Sequence, residues 1–385
     1  MSPKQYTYCD YAAGAPCRPE ALAVYGEFAT QQYANPGAHH PQAYVAKKHL
    51  WELHERMGRV LGADPREIIF TSGGTESDIL ALRGVMDGAK APRNELVISA
   101  IEHHAVLLEA QRMERAGASV HYAPVTPDGV IDLAALRKLV SERTALVSVM
   151  YANNETGVIQ PVNQVAKIAH AAGARYHCDA VQAFWKLPVR PREIGADLLT
   201  LAGAKFGAPK GTGLLYNEMT NRISPVIVGG PQEWGYRAGT EDLCGMAAMA
   251  VAMELAEAER ERVWPAVAKL RDRLEDALLM GLGDNVRING RNAPRLANIS
   301  NISFLHIEGQ AMAIELGEQG FSVGLGSACA PGETDPSHVL AAMGLSWEDA
   351  IGCIRVSFGP DITQAQVDRL AALCIGNYKR LRGLG

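Results

Sequence analysis

Ala196-Asp197-Leu198-Leu199-Thr200-Leu201-Ala202-Gly203-Ala204-Lys205 runs directly into Phe206-Gly207-Ala208-Pro209-Lys210-Gly211-Thr212-Gly213. An apolar run of strand length leads to one lysine and then to a loop of glycines and a proline. A lysine at the end of a buried strand is costly unless it is neutral or covalently used. A Schiff base with a carbonyl cofactor is one such use. The plainer reading is that Lys205 snorkels from the strand end to solvent. The stretches on either side decide between the two.

Upstream, the same pattern repeats. Glu67-Ile68-Ile69-Phe70 reads as a short strand, Thr71-Ser72-Gly73-Gly74-Thr75-Glu76-Ser77 as a turn, and the chain from Asp78 as a helix. Free amides and hydroxyls at such a helix start face one point and suit an anion. An ordinary N-cap by Ser72 or Thr75 is the alternative. Residues 95–100 form a strand that opens through Glu102-His103-His104 into a helix. His103 there is either a capping or surface histidine or a stacking face for a planar cofactor. Residues 145–150 lead to the polar turn Asn153-Asn154-Glu155-Thr156-Gly157, residues 162–172 to a helix, and Arg175-Tyr176-His177-Cys178-Asp179-Ala180-Val181-Gln182 to a further strand end. Strands alternating with helices predict an α/β protein with a mainly parallel sheet and ligands at the carboxyl ends of its strands. The polar clusters sit at those ends.

The remaining elements are a helix over 44–61, a long helical region over 241–279 interrupted at Pro265, and a strand at 301–304. After them come a helix over 309–319, a small-residue loop at 324–335, a strand at 354–358 and a final helix over 363–381. The 385 residues exceed what one core usually holds, which predicts two domains. Apolar residues make up 48% and charged ones 21%, with a net charge of −5 and no run of like charges. This composition argues against a general nucleic-acid or membrane-surface binder. No signal peptide or spanning segment is read, so a cytoplasmic protein is expected. The seven cysteines include no CxxC pair and the 11 histidines no HExxH pattern, so neither a disulfide framework nor a metal is expected.

Asp179 and Lys205 end successive strands and can reach one pocket. A carboxylate keeps a pyridine nitrogen protonated, a lysine holds an aldehyde, the 71–77 turn suits a phosphate, and His103 offers a stacking face. Each demand of pyridoxal 5′-phosphate thus has a candidate.

On these motifs, with Arg237-Ala238-Gly239-Thr240-Glu241, Gly326-Ser327-Ala328-Cys329-Ala330 and Pro336-Ser337-His338-Val339-Leu340, the chain resembles the cysteine desulfurases among class V, fold-type I pyridoxal-phosphate enzymes. The likeness covers nearly the whole chain, and its cysteine segment resembles the group with the longer catalytic loop. It implies a large domain over 15–260 with a mainly parallel mixed sheet flanked by helices. A smaller α/β domain over 1–14 and 261–385 would carry the catalytic-cysteine loop. It also implies roles. Lys205 would hold the cofactor as an imine and move protons; His103 would stack on the ring and serve in acid–base steps. Asp179 would pair with the ring nitrogen, and Gln182 and Asn154 would contact the ring oxygen or substrate. Gly74 and Thr75 would bind the phosphate, and Thr240 would reach the phosphate of a neighbouring subunit in a homodimer. Arg355 would grip the substrate carboxylate. Cys329 would attack the sulfur of L-cysteine, leaving a persulfide for an acceptor protein and alanine as co-product. As an isolated cysteine it could equally be inert filler, but its small neighbours suit an exposed mobile loop.

The chain departs from the family at the lysine. Where Ser-x-His-Lys is usual it has Ala202-Gly203-Ala204-Lys205, which removes one phosphate hydrogen bond worth about 1.5–3 kcal/mol. Ala208 replaces a usual glycine, and Trp234 stands at a place often small or basic. Two other readings stay open: another pyridoxal-phosphate lyase or aminotransferase (a selenocysteine lyase included), which would not need Cys329, and a non-catalytic scaffold for sulfur-transfer partners, which would bind no cofactor.

Overall fold

A computed structural model of the chain describes residues 6–89, 92–325 and 336–383. Its twelve strands are β1 (Thr7–Cys9), β2 (Ile68–Thr71), β3 (Glu95–Ser99), β4 (Ser119–Ala123), β5 (Thr144–Ser148), β6 (Arg175–Asp179), β7 (Leu198–Ala202), β8 (Gly213–Asn217), β9 (Val286–Asn289), β10 (Ile299–Phe304), β11 (Phe321–Leu325) and β12 (Cys353–Ser357). The α-helices are α1 (Pro19–Gln31), α2 (Pro41–Leu61), α3 (Gly74–Gly88), α4 (His104–Arg115), α5 (Leu133–Leu139), α6 (Val162–Ala171), α7 (Pro191–Ile194), α8 (Leu243–Leu282), α9 (Gly309–Glu318), α10 (His338–Ala342), α11 (Trp347–Ile351) and α12 (Gln364–Leu381).

A seven-stranded sheet has the order β2-β8-β7-β6-β5-β3-β4. β4, β3, β5, β6 and β7 pair in parallel, while β8 runs antiparallel between β7 and β2. Every residue of β3 and β5 is buried, as is nearly every residue of β6 and β7. Strands covered by helices on both faces need apolar side chains on both, which is why they read as unbroken apolar runs. One face packs a core that includes Leu80 and Val85 of α3 and Val106 and Met113 of α4. The other face packs the main core, with Leu53 of α2, Val165 of α6 and Met246 of α8. The architecture is the mixed, mainly parallel α/β arrangement that alternation predicts.

A second sheet, β1-β11-β12-β10-β9, joins the first strand of the chain to the last. β1 lies parallel to β11, with Thr7 opposite Phe321, and the other pairs are antiparallel. The expected interruption at Pro265 does not occur. α8 is one helix of 40 residues that carries Pro265 inside it and packs against α1, α2 and α12. The one backbone hydrogen bond a proline removes is outweighed there by tertiary packing, including Trp264 edge-on to Trp185 at 4.7 Å. Residue 260 lies within this helix. Among the described residues no helix is long and apolar enough to cross a membrane.

Candidate active site

The ends of β6 and β7 form the floor of a cavity of about 330 Å³. Asp179 closes β6, 6% exposed, and its Oδ1 accepts the Val181 amide at 2.9 Å. One turn of 3-10 helix, Gly203–Lys205, follows β7. Gly203 is required in it, because a Cβ there would lie 2.1 Å from Thr212 Oγ1. The turn delivers Lys205 into the cavity, where its Nζ donates to the Ala13 carbonyl at 2.7 Å. Burial and then the Arg355 charge hold Lys205 down to about 8, against the pull of Asp10 and Asp179. Burial pushes Asp179 up to about 6, opposed by the Val181 amide and the Lys205 charge. An amine that burial makes this much easier to deprotonate, in one cavity with a buried carboxyl, is unlike a snorkelling surface lysine, whose charge water would sustain.

The β2–α3 turn forms one wall. α3 begins at Gly74, earlier than the sequence reading placed it, and neither Ser72 nor Thr75 caps it. The N-cap is Gly73, φ +151°, with no side-chain cap. Ser72 is held through its amide, which donates to Glu76 Oε2 at 2.8 Å, and Thr71 Oγ1 pairs with Ser77 Oγ at 2.7 Å. These bonds fix the turn without covering the helix start, which faces the cavity with Gly74 and Thr75. Gly74 sits close over the sheet, since a Cβ there would come within 3.2 Å of Val181 and 3.3 Å of Ala202. An uncapped helix N-terminus at a cavity wall suits an anion.

His103 meets the capping one of its sequence readings and also borders the cavity. It caps α4, with Nδ1 accepting the Ala105 amide at 3.1 Å, and it lines the cavity. With Nδ1 as acceptor, the proton of the neutral ring sits on Nε2. The surrounding protein, Lys205, His104 and His338 hold His103 down to about 4, so the imidazole is neutral near pH 7. Behind it His104 and His338 lie 4.9 Å apart, tilted by 32°, and His338 Nε2 pairs with the Glu102 carbonyl at 2.9 Å.

The far wall comes from the second sheet. Arg355 of β12, 4% exposed, donates from Nη2 to Asp10 Oδ1 at 2.7 Å and from Nη1 to the Asn154 carbonyl at 3.0 Å. Its Nε has no hydrogen-bond partner. Gly324 leaves room for this pair, as a Cβ there would lie 2.7 Å from Asp10 Oδ1. Gln182 donates to the Ala12 carbonyl at 2.8 Å, and its buried Oε1 is without a partner.

Lys205, His103, Gly74, Thr75, Asn154, Asp179, Gln182 and Arg355 therefore line one cavity. Thr240 does not line it; it is exposed on the segment that Arg237 ties to α3 through Glu76 at 2.9 Å. Cys329 and the 326–330 motif lie outside the described residues. Sequence reading does not single out Asp10, and it reads Asp78 only as a helix start. It also missed Lys186, buried between Trp185 and Trp264 with Nζ 3.3 Å from the Lys205 carbonyl. The alternation of Asp179 with His177 on β6, which places both on the face α3 covers, is the one signal that pointed toward Asp78.

The family model described as aminotransferase class-V matches residues 7–370. A protein of Gluconacetobacter diazotrophicus named "Cysteine desulfurase" is 41% identical over 377 residues, 97% of this chain and 94% of its own. The solved structure of a NifS-like protein superposes with a TM-score of 0.89 at 34% identity, covering 97% of this chain and 99% of that one. A solved structure described as SspA in complex with cysteine gives a TM-score of 0.81 at 29% identity, covering 92% and 99%.

Proposed function

The chain belongs to the aminotransferase class-V family and is a cysteine desulfurase, and we propose that its cavity seats pyridoxal 5′-phosphate and turns L-cysteine into L-alanine. When bound, that cofactor supplies a reactive aldehyde and an electron sink. The residues present fit it: a buried carboxyl at the floor, an amine held down to about 8, an uncapped helix start, and the unpartnered Oε1 of Gln182.

Asp179 would hold a protonated ring nitrogen by charge, and His103 would offer its imidazole face to the ring. Gly74 and Thr75 take the phosphate with backbone amides and a hydroxyl, where the α3 N-terminus favours negative charge. Lys205 Nζ would be the amine that holds the aldehyde and moves a proton, and a value of about 8 leaves it a useful neutral fraction near pH 7. Arg355 takes the substrate carboxylate at the cavity wall, with Asp10 and the Asn154 carbonyl fixing the guanidinium. The Asn154 side chain borders the same space. The Cys329 thiolate takes the substrate sulfur: an S–S bond forms as the C–S bond breaks, and alanine leaves once its carbon is protonated. The persulfide then passes to an acceptor protein.

The assembly is a cytoplasmic homodimer in this reading, with the exposed Thr240 serving the phosphate of the partner subunit. Half-exposed Trp51 and Trp234, in edge-to-face contact at 6.2 Å beside that segment, supply an apolar surface for it. The domains divide as 15–260 and 1–14 with 261–385. The observation that carries the reading is the convergence of amine, carboxyl, imidazole and guanidinium on one cavity. A single turnover with L-cysteine tests it, following the cofactor spectrum, alanine and protein-bound persulfide in wild type and Cys329→Ala. Persulfide and alanine from wild type alone, with both spectra perturbed by substrate, are expected. Full-rate sulfide release from Cys329→Ala would instead make the protein a lyase.

A further inference from the structure

A second carboxyl group lies behind Asp179. Asp78, on the first turns of α3, is 1% exposed, borders the same cavity, and its buried Oδ1 has no hydrogen-bond partner. Three titratable groups face it. Asp179 and His177 come from β6, and Glu102, itself fully buried with an unpartnered Oε2, comes from the turn after β3.

None of them can neutralise an ionised Asp78. His177 Nε2 is 3.6 Å from Asp78 Oδ1, but both ring nitrogens are engaged elsewhere, Nδ1 with Ser148 Oγ at 2.8 Å and Nε2 with Thr200 Oγ1 at 3.0 Å. Full burial holds that ring down to about 3, so it carries no charge. The Lys205 charge acts on Asp179, while Asp78 is driven well up by burial, by Asp179 and by Glu102, against the pull of the Thr200 hydroxyl. Two carboxylates in one dry pocket cannot both ionise.

We propose that Asp78 is a positioning residue that keeps its proton in the working enzyme, so that Asp78 and Asp179 form a unit of two carboxyls and one proton whose negative charge is confined to Asp179. The neutral Asp78 does through a proton what a neutral amide of the same shape would do. It adds no second charge behind Asp179, and it keeps Asp179 ionised and facing the cavity. This rests on the reading of Asp179 as the partner of the ring nitrogen.

Asp78→Asn, in the cofactor-loaded protein, is the test. It replaces the protonated acid by a neutral isostere and removes no charge. On native isoelectric focusing it is expected to co-migrate with wild type, whereas Asp87→Asn, at the exposed end of the same helix, moves to a higher isoelectric point. The wild-type-minus-Asp78→Asn infrared difference is expected to show a carboxylic-acid C=O band. Asp78→Ala removes the neutral partner, and the acid limb of the bound cofactor's absorption should move to higher pH by roughly half a unit or more, because Asp179 becomes more basic; Asp78→Asn should leave it in place. A one-charge shift on focusing, loss of a carboxylate band, or failure of Asp78→Asn to fold would overturn the protonated state. An unmoved acid limb in Asp78→Ala would overturn the positioning role. Asp179→Asn with unchanged cofactor affinity and spectrum would instead strike the Asp179 reading, while the two charge measurements on Asp78 would stand.

Discussion

Acid should destabilise this protein through a histidine that never leaves the core. His177 is 0% exposed, and burial holds it down to about 3, whereas in an unfolded chain it takes up a proton near pH 6.5. Between these values the unfolded state binds a proton that the folded state refuses, so stability is complete above about pH 6.5 and falls as pH drops. At pH 5 the gap of about 1.5 units corresponds to about 2 kcal/mol from this one residue. His177→Gln offers neutral partners to Ser148 and Thr200 and does not titrate. The quantity to compare is the change in melting temperature between pH 8 and pH 5 in each protein, since the absolute melting points also carry the packing cost of the substitution. A chain of this size unfolds with an entropy of roughly 0.8 kcal/mol/K, so His177→Gln should lose about 2–3 °C less than wild type on acidification. His103, held to about 4, contributes to both proteins and cancels. Equal losses in the two proteins would refute the reasoning and mean that His177 is protonated in the fold, with Asp78 as its counter-ion.

Three further outcomes follow from the geometry. Gly203→Ala forces a Cβ against Thr212 Oγ1 and, at 2.8 Å, against Ala208; a loss of about 1–3 kcal/mol and weakened cofactor retention, read by melting and by dialysis, are expected. Glu233→Ala leaves buried His54, 3.1 Å from its Oε2, and the Phe70 amide, at 2.8 Å, without their acceptor. About 3–5 kcal/mol should be lost, with a melting temperature lower by roughly 4–6 °C. Arg355→Lys keeps the charge but not the fork, and the KM for L-cysteine should rise about 10- to 100-fold with a smaller change in kcat.

The sheet and most of the cavity are legible in the sequence for one reason: buried parallel strands must be apolar along their whole length, so polar residues at their ends stand out. Asp179, Lys205 and the 71–77 turn are found this way. What escapes reading is set by tertiary partners. β8 (Gly213–Asn217) is only five residues directly after the glycine loop, and its antiparallel place depends on β2 and β7. α8 crosses Pro265 because its neighbours hold it, and α3 starts at Gly74 because the turn before it is tied by Glu76 and Ser77. Asp10 carries no local signal, and Asp78 none beyond the alternation of His177 with Asp179 on β6. One matters through a strand 345 residues away, the other through a proton that no sequence pattern records.

The pairing of β1 with β11 has a consequence for how the protein is made. Asp10 waits for Arg355, the Ala12 amide for Ser357 Oγ at 2.9 Å, and Thr7 for Phe321. Residues 7–12 thus leave a ribosome long before the partners that hold them. Until about residue 357 has been released, the emerging chain can shape the large sheet but not the wall that holds a substrate carboxylate. A nascent chain that picks up cofactor early is consequently unable to act on an amino acid before Arg355 and Ser357 have emerged.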